Sequence, residues 1–490
     1  MAIVHFNYIM INNLKGERYM ITNKAVGQTL KKLRRFLTTL EQRFFVPVGT
    51  VDNMRFFQTF DVLHQIPDDT CFGPLPESGK WGEEWAYGWF KGSYEIPEKL
   101  SGRTLYLRPL TGGYEATLWL NGRIHSNFAT KEIVGSHGNH YCNRIVTDAK
   151  AGDKLDIVLE YYAYHRVPGT QPLVSEALPT HTYDIADTQI CVRDDEVFEY
   201  YFDLLTLMEL IEAENTPAFR KADVEYTLSL LHEQLYYDPA TCTEEEFYGG
   251  LRATLPLMKA QLNKKNASSV PYVGLIGHSH MDTAWLWPIC ETVKKCARTY
   301  ANALNLMEEY PEYNFVQSSA YHGAMMLRKY PELFGRIKEK VAAGRYEPNG
   351  GVWVECDCNI TGGEYMVRQF VWGQRFTREH FGYTSDAFWL PDTFGYSYAI
   401  PQIMKGCGVD YFLTTKMAWN DTNQFPYTSF YWQGIDGTKV LTHLNRTHVG
   451  PSPLNYEMIT TGDDPIQESR TNSMRLFSYG KGDGGGGPEF

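Results

Sequence analysis

Apolar residues recur at helical spacing near the start of the chain, with lysine and arginine between them. The pattern occupies residues 28–43, and its apolar members are Leu30, Leu33, Phe36, Leu37 and Leu40. Side chains three and four positions apart line one side of an α-helix, so an amphipathic helix is predicted within an N-terminal extension, residues 1–75. Such a basic helix either lies on a membrane or docks on the protein, and the short apolar stripe favours docking.

Between about residues 81 and 165 the apolar period changes to two. Short runs rich in Tyr, Trp, Leu and Val alternate with Gly, Pro or Asn; they are Tyr87–Tyr94, Thr104–Arg108, Glu115–Leu120 and Lys154–Tyr162. Asn121-Gly122 is a typical hairpin turn. Short strands at this spacing predict a jelly-roll-like β-sandwich at residues 76–168, and residues 168–179 are predicted to be a linker.

Helical spacing returns in three further segments, residues 198–212, 222–235 and 244–264. They predict a helical connector at residues 180–268.

After residue 270 strand and helix patterns alternate. The predicted strands are Tyr272–Gly277, Phe315–Gln317, Gly351–Glu355, Ala387–Leu390 and Tyr411–Thr414. The predicted helices are Glu291–Tyr310, Ala320–Tyr330, Glu332–Ala343, Gly363–His380 and Ile400–Gly406. This alternation is typical of right-handed βαβ units, so the chain is predicted to be a multidomain α/β protein whose residues 270–490 form a parallel α/β-barrel.

Composition narrows the class of protein. With 490 residues, 43% hydrophobic and 21% charged, the chain is expected to fold into several globular domains. The net charge, 46 minus 58 or −12, disfavours a nucleic-acid partner. Nine scattered cysteines without a secretory signal predict reduced thiols and a cytoplasmic protein, and the lack of an apolar run of roughly 18 residues disfavours a membrane protein.

Polar clusters follow the predicted barrel strands. In parallel α/β-barrels the catalytic residues lie at the C-terminal ends of the strands. In the first cluster, His278, His280 and Asp282 are two positions apart and can share one face of an extended backbone. Imidazole and carboxylate groups at that spacing are zinc-type ligands, whereas a buried, hydrogen-bonded histidine is the alternative.

Three other clusters carry carboxylates. In the second, Glu355, Asp357 and Asn359 alternate and face either a cavity or water, and Cys356-x-Cys358 is interpreted as structural. In the third, Asp392 follows an apolar strand, and it is either a functional carboxylate or the N-cap of the next helix. In the fourth, Asp483 lies in a glycine run that lets backbone approach a ligand closely and that lacks the phosphate-binding GxxxxGK[ST] pattern.

Together these clusters resemble the α-mannosidases of glycoside hydrolase family 38, in their cytosolic and bacterial branch. The motifs that carry the resemblance are His280-Met-Asp282 with Trp285, Gly350-Gly-Val-Trp-Val-Glu355 with Asp357 and Asn359, Arg368-Gln369, Gly373-Gln-Arg375, Trp389-Leu-Pro-Asp392-Thr-Phe-Gly-Tyr-Ser397, Trp419-Asn-Asp-Thr-Asn423, Phe430-Tyr-Trp432, Gly434-Ile-Asp-Gly437 and Gly482-Asp-Gly-Gly-Gly-Gly-Pro488. They cover residues 270–490, and the preceding sandwich and helices fit the family's N-terminal region. The resemblance implies a (β/α)7-type barrel.

The resemblance also implies a function, retaining removal of terminal α-linked mannose from mannose-containing oligosaccharides. It implies a divalent metal, zinc first and cobalt second, held by His280, Asp282 and Asp392 plus a further histidine. Asp392 would also be the nucleophile and Asp483 the general acid/base. Trp285 would stack on the mannose and Lys416 would contact the sugar. Retention requires the two carboxyl groups to lie about 5–5.5 Å apart, and the acid to keep its proton near neutral pH.

The ends of the chain raise further expectations. The family's remaining histidine ligand lies beyond Phe490, so a C-terminally truncated protein with an incomplete barrel is expected. Substitution by His443 or His448 is disfavoured, because neither lies in the expected motif. Met20 is an alternative start, because the residues before it show little pattern. A homo-oligomer is left open.

Two other functions are weighed against hydrolysis of mannosides. One is a mannose-binding remnant without turnover. The other is a metal-dependent amidohydrolase built on His278-Ser-His280, which is disfavoured because no predicted strand ends in a suitable lysine.

Overall fold

The computed structural model describes residues 9–12, 18–21, 23–129, 140–166, 180–266, 270–423, 425–445 and 470–489. The fold is mixed α/β with several sheets. Its described residues form two compact units. The helical unit takes in residues up to 46 and residues 193–270, and the large unit takes in residues 47–192 and the described residues from 271 onward, each considered separately below.

The helical unit consists of a short hairpin and four helices. Its elements are β1 (Ile9–Asn12), β2 (Arg18–Ile21), α1 (Asn23–Glu41), α2 (Asp195–Glu212), α3 (Ala218–His232) and α4 (Glu244–Leu262). All four predicted helices are therefore present. The apolar stripe of α1 is buried within the unit, where the Phe36 ring lies 5.2 Å from Tyr237 and 6.0 Å from Phe247. This burial favours docking over membrane binding for α1.

No helix in the described part of the chain combines the length and the apolar character needed to cross a bilayer.

The first part of the large unit is built from antiparallel strands. They are β3 (Phe45–Thr50), β4 (Asp52–Thr59), β5 (Lys80–Trp81), β6 (Tyr87–Glu95), β7 (Leu105–Pro109), β8 (Glu115–Leu120), β9 (Arg123–Ala129), β10 (Asn143–Val146), β11 (Lys154–Tyr162), β12 (Tyr183–Asp184) and β13 (Thr188–Arg193). They form sheets of order β4-β6-β11-β8-β9 and β10-β7-β13-β3, with β12 paired to β5. Phe90, Leu118 and Ile157 of the five-stranded sheet share a buried cluster with Leu107 and Ile190 of the four-stranded sheet. The predicted turn at Asn121-Gly122 is present, with φ of 50° and 79°.

The second part of the large unit alternates strands with helices. Its elements are β14 (Tyr272–His278), α5 (Ile289–Glu309), β15 (Phe315–Val316), α6 (Ala320–Lys329), α7 (Pro331–Ala342), β16 (Tyr346–Glu347), α8 (Gly363–Phe381), β17 (Ala387–Trp389), α9 (Ile400–Gly406), β18 (Tyr411–Thr414), β19 (Ser429–Gln433), β20 (Lys439–Leu444) and β21 (Met474–Tyr479).

These strands form two four-stranded sheets that share an apolar cluster. Parallel pairing gives the order β16-β15-β14-β21 in one sheet and β17-β18-β20 in the other, where β19 adds an antiparallel edge. The cluster joins Val316, Trp389 and Leu413, with Ile276 and Leu476 packed against it. Within the described residues no ladder joins the two sheets, so a closed barrel stays a prediction.

The predicted strand at Gly351–Glu355 is wrong. The third parallel strand is β16, at Tyr346–Glu347, and the chain then turns. A Cβ atom on Gly350 would lie 1.4 Å from the carbonyl oxygen of Ser318, and Gly351 has a φ of +74°. The close approach and the left-handed backbone at adjacent glycines are incompatible with a regular strand.

Helix α5 packs its charged side against the five-stranded sheet. The ionic cluster formed there consists of Glu115 on β8, Glu160 on β11, and Glu291, Lys294, Lys295 and Arg298 on α5, all buried. Lys294 pairs with Glu160, Lys295 lies 3.0 Å from Glu115, and Arg298 bridges Glu115 and Glu291. Three acids meet three bases, so the cluster is formally neutral. The ionic cluster fixes α5, which follows the segment that carries Asp282 and Trp285.

Candidate active site

Six charged residues meet at one edge of the parallel strands. His280 and Asp282 follow β14, Glu355 follows the turn after β16, and Asp392 follows β17. Lys416 follows β18, and Asp483 follows β21. Because parallel strands bring their C-terminal ends to the same edge, residues more than 200 positions apart become neighbours.

His280 is at the centre of this group and is only 3% exposed. Its Nδ1 atom lies 3.2 Å from Oε2 of Glu355, and its Nε2 atom lies 3.5 Å from both Oδ1 of Asp282 and Oδ2 of Asp392. Burial by itself would lower the pKa of His280, but the carboxylates of Glu355, Asp282 and Asp392 raise it well above its usual value. Burial pushes the pKa of Glu355 upward, yet His280 and the hydroxyl of Ser318 hold it below the usual range.

The group is compact enough to bind a divalent ion. Ligand atoms of His280, Asp392 and Asp483 lie within 4.8 Å of one another. Tetrahedral zinc ligands at their usual bond lengths are separated by about 3.4 Å, which is close to the 3.5 Å that separates His280 Nε2 from Asp282 and Asp392. One imidazole and several carboxylates therefore fit the metal that the resemblance implies, and Asp483 joins the group as well.

Lys416 contacts the carboxylate of Asp392. Its Nζ atom lies 2.8 Å from Oδ1 of Asp392 and 3.3 Å from the centre of the Trp419 ring. The side chain is buried, whereas Trp419 and Phe394 beside it are exposed. The two side chains therefore form an ion pair at the C-terminal end of β17. Contact between Lys416 and a sugar stays a prediction.

The glycine run that contains Asp483 lies against the segment that follows β14. The backbone N–H of Asp282 donates to the carbonyl oxygen of Asp483 at 3.0 Å. A Cβ atom on Gly485 would lie 2.5 Å from Oγ1 of Thr299, whereas the N–H of Gly486 donates to the same hydroxyl. Asp483 itself has a φ of 57°, a conformation that aspartate tolerates better than bulkier residues. The glycines thus permit a close approach to α5.

Trp285 follows Asp282 by three positions and is 57% exposed. Its ring is 5.8 Å from that of Trp287, which is buried. An exposed indole three positions after Asp282 is available for stacking on a ligand, as the resemblance implies.

Other predicted site residues lie elsewhere. His278 does not join the group: its Nδ1 atom lies 3.1 Å from the carbonyl oxygen of Val316, and its Nε2 atom accepts from Trp389. The structure therefore favours the alternative of a buried, hydrogen-bonded histidine and removes the support for an amidohydrolase. His443 on β20 lies 2.9 Å from Oγ of Ser429. His448 is outside the described residues.

The second cluster divides between two roles. Asp357 accepts the backbone N–H groups of Asn359 and Ile360, so it stabilises a turn. Glu355 alone points inward, toward His280 and Ser318. The role of Glu355 was missed, since the alternating pattern did not distinguish it from Asp357. Cys356 and Cys358 are buried and free.

Comparisons with known proteins show what the chain is similar to. The sequence of residues 271–490 matches the family model of the glycosyl hydrolases family 38 N-terminal domain. Alpha-mannosidase 2C1 of Homo sapiens is 34% identical over 474 residues, which are 94% of this chain and 44% of that protein. Alpha-mannosidase G of Dictyostelium discoideum is 31% identical over 411 residues, 83% of this chain and 36% of the relative. An alpha-mannosidase of Saccharomyces cerevisiae is 44% identical over 216 residues, 44% of this chain and 20% of the relative. The chain spans less than half the length of each of these relatives.

Proposed function

We propose that this chain, whose residues 271–490 match the glycosyl hydrolases family 38 N-terminal domain, is a glycosidase that removes terminal α-linked mannose with retention of configuration. The observation that carries the proposal is the meeting of His280, Asp392 and Asp483 within 4.8 Å. The relatives are named as α-mannosidases, which supports a mannose-containing oligosaccharide as the substrate. A cytoplasmic location and a homo-oligomer stay predictions.

Two carboxyl groups perform the chemistry. The Asp392 carboxylate, held by the ammonium of Lys416, attacks the anomeric carbon, while Asp483 donates a proton to the departing glycosidic oxygen. A covalent mannosyl ester forms on Asp392 as the bond to the leaving group breaks. Asp483 then takes a proton from a water molecule that attacks the same carbon, and Asp392 is released. Two inversions give net retention.

His280, Asp282 and Asp392 would hold the divalent metal. When bound, the metal would act as a Lewis acid that orients sugar hydroxyl groups. Glu355 fixes the ring of His280 so that Nε2 faces the other two ligands. Trp285 offers an apolar surface to one face of the sugar ring. Zinc and cobalt are both candidates, because either accepts nitrogen and oxygen ligands.

The test is hydrolysis of 4-nitrophenyl α-mannoside by the purified chain, with and without added zinc or cobalt. Metal-dependent turnover is expected, and proton NMR of the first product should show the α-anomer. Asp392→Asn should abolish turnover, whereas Asp386→Asn, an exposed carboxylate before β17, should leave it intact. Release of the β-anomer would overturn retention. Sugar binding without turnover at any metal concentration would favour the mannose-binding alternative.

A further inference from the structure

Three aromatic residues that are neighbours in the large unit have a left-handed backbone conformation. Trp85 has a φ of 71°, Tyr164 a φ of 69° and His181 a φ of 54°. For bulky side chains this conformation is rare and costs of order 1 kcal/mol or more each, and such strain concentrates at functional sites. Together with His165 these residues form a group that we call the aromatic platform.

The platform is held by stacking and by its backbone. The rings of Trp85 and His165 are stacked, with centres 3.8 Å apart and planes inclined by 12°. The ring of Tyr164 is 3.9 Å from that of Tyr114 and 4.8 Å from that of His165. The N–H of Trp85 donates to the carbonyl oxygen of Tyr164 at 2.8 Å. Although stacked on His165, Trp85 remains 41% exposed.

A hydrogen bond joins the platform to the segment that carries Trp285. The hydroxyl of Tyr162 lies 2.5 Å from Nδ1 of His165, and Nε2 of His165 lies 2.7 Å from the carbonyl oxygen of Leu286. These contacts are satisfied together when Tyr162 donates to Nδ1 and Nε2 donates to Leu286. Leu286 is the immediate neighbour of Trp285. Two exposed indoles are therefore linked through one buried histidine.

We propose that Trp85 forms a second sugar subsite, for a residue further along the oligosaccharide whose terminal mannose occupies the site at Trp285. The proposal rests on the proposed function. Apolar faces of sugar rings stack on indoles, and two rigid aromatic surfaces joined by short contacts suit adjacent units of one carbohydrate chain. Glu84, the residue before Trp85, accepts the backbone N–H of Arg166 at 2.8 Å, and a carboxylate of this kind can also accept hydrogen bonds from sugar hydroxyls.

The test compares a short substrate with a long one. For each protein the ratio of kcat/KM for an α-linked mannotetraose to that for 4-nitrophenyl α-mannoside is measured. Trp85→Ala should lower this ratio about fivefold, which corresponds to the loss of roughly 1 kcal/mol of stacking. The change should appear as a higher KM for the tetraose. Trp85→Phe should restore part of it. Trp372→Ala removes another exposed indole, on α8, and should leave the ratio at the wild-type value.

Binding is measured as well, by calorimetric titration of the tetraose into metal-free protein, so that the subsite is tested even if no turnover occurs. Weaker binding by Trp85→Ala than by wild type supports the subsite. Equal binding, no binding by the wild type, or an unchanged kinetic ratio overturns it. Absence of hydrolysis of both substrates would instead contradict the proposed function. A Trp85→Ala protein that fails to fold is replaced by Trp85→Phe, for which an unchanged tetraose affinity overturns the subsite.

Discussion

Oε2 of Glu355 lies 3.2 Å from Nδ1 of His280, while Nε2 of the same ring faces Asp282 and Asp392. A carboxylate behind a histidine fixes the orientation of the ring and decides which nitrogen is left to coordinate a metal. Glu355 is itself held by the hydroxyl of Ser318, and its side chain is only 9% exposed. The position of His280 thus depends on residues from three separate segments.

Replacing Glu355 with glutamine should weaken metal binding by about 10- to 100-fold, because the amide orients His280 less strongly. Affinity for zinc is measured by competition with a chromogenic chelator. Asp357→Asn, an exposed carboxylate in the same turn, is the matched control and should keep the wild-type affinity. Equal zinc affinities in the Glu355 variant and the wild type would contradict the orienting role.

Asp282→Asn and Asp483→Asn should separate metal binding from proton transfer. The Asp282 variant should lose metal affinity, whereas the Asp483 variant should keep it and cleave substrates with poor leaving groups about 100-fold more slowly than wild type. Zinc competition and rates for a series of aryl mannosides measure both properties. Loss of zinc by the Asp483 variant would show that Asp483, which lies in the compact group with His280 and Asp392, is a ligand instead.

Replacing Arg298 with methionine should lower the free energy of unfolding by about 3–5 kcal/mol. The change leaves Glu291 and part of Glu115 without a buried cation. Urea denaturation measures the loss. Arg375→Met is the control, since Arg375 is exposed, lies 3.9 Å from Glu379 and 5.8 Å from the centre of the exposed Trp372 ring, and should change stability by less than about 0.5 kcal/mol. Similar losses in the two variants would mean that the ionic cluster does not stabilise the fold.

Stability should fall as the pH drops from about 6.5 toward 4. Burial lowers the pKa of His125 to about 4, and the nearby Arg336 and Arg144 act in the same direction. Between the two pH values the unfolded chain binds a proton at His125 that the folded chain does not, so the unfolded state is favoured by at most about 3 kcal/mol. Urea unfolding at about pH 7 and about pH 5 should show a smaller difference in His125→Gln than in wild type. Equal differences would exclude His125 as the source.

Local patterns predicted most helices and strands of the fold. The runs at Glu115–Leu120, Lys154–Tyr162, Tyr411–Thr414 and Ile400–Gly406 have the same bounds in the structure as in the sequence prediction. The strand predicted at Gly351–Glu355 failed because its apolar alternation was outweighed by the contact between Gly350 and Ser318, which no local pattern records.

Contacts between distant segments were not predictable in this way. The apolar face of α5 was evident, but the burial of its charged face depends on Glu160 and Glu115, which lie 134 and 180 positions before their lysine partners. Likewise, the glycine run marked Asp483 as a candidate, yet its place beside His280 follows from the parallel pairing of β14 with β21. The spacing of His278 predicted a metal ligand. Its ring nitrogens instead form hydrogen bonds with the indole of Trp389 and the carbonyl oxygen of Val316.

The glycine run also has a consequence for biosynthesis. Ser279 donates to the carbonyl oxygen of Lys481, 202 positions later, and Met281 bridges to Gly484. A ribosome therefore completes β14 and α5 long before it makes the segment that closes over them. A nascent chain that has emerged only as far as Asp392 contains His280, Asp282 and Asp392, but it lacks the proposed acid and the strands β18 and β21, which pair with β17 and β14.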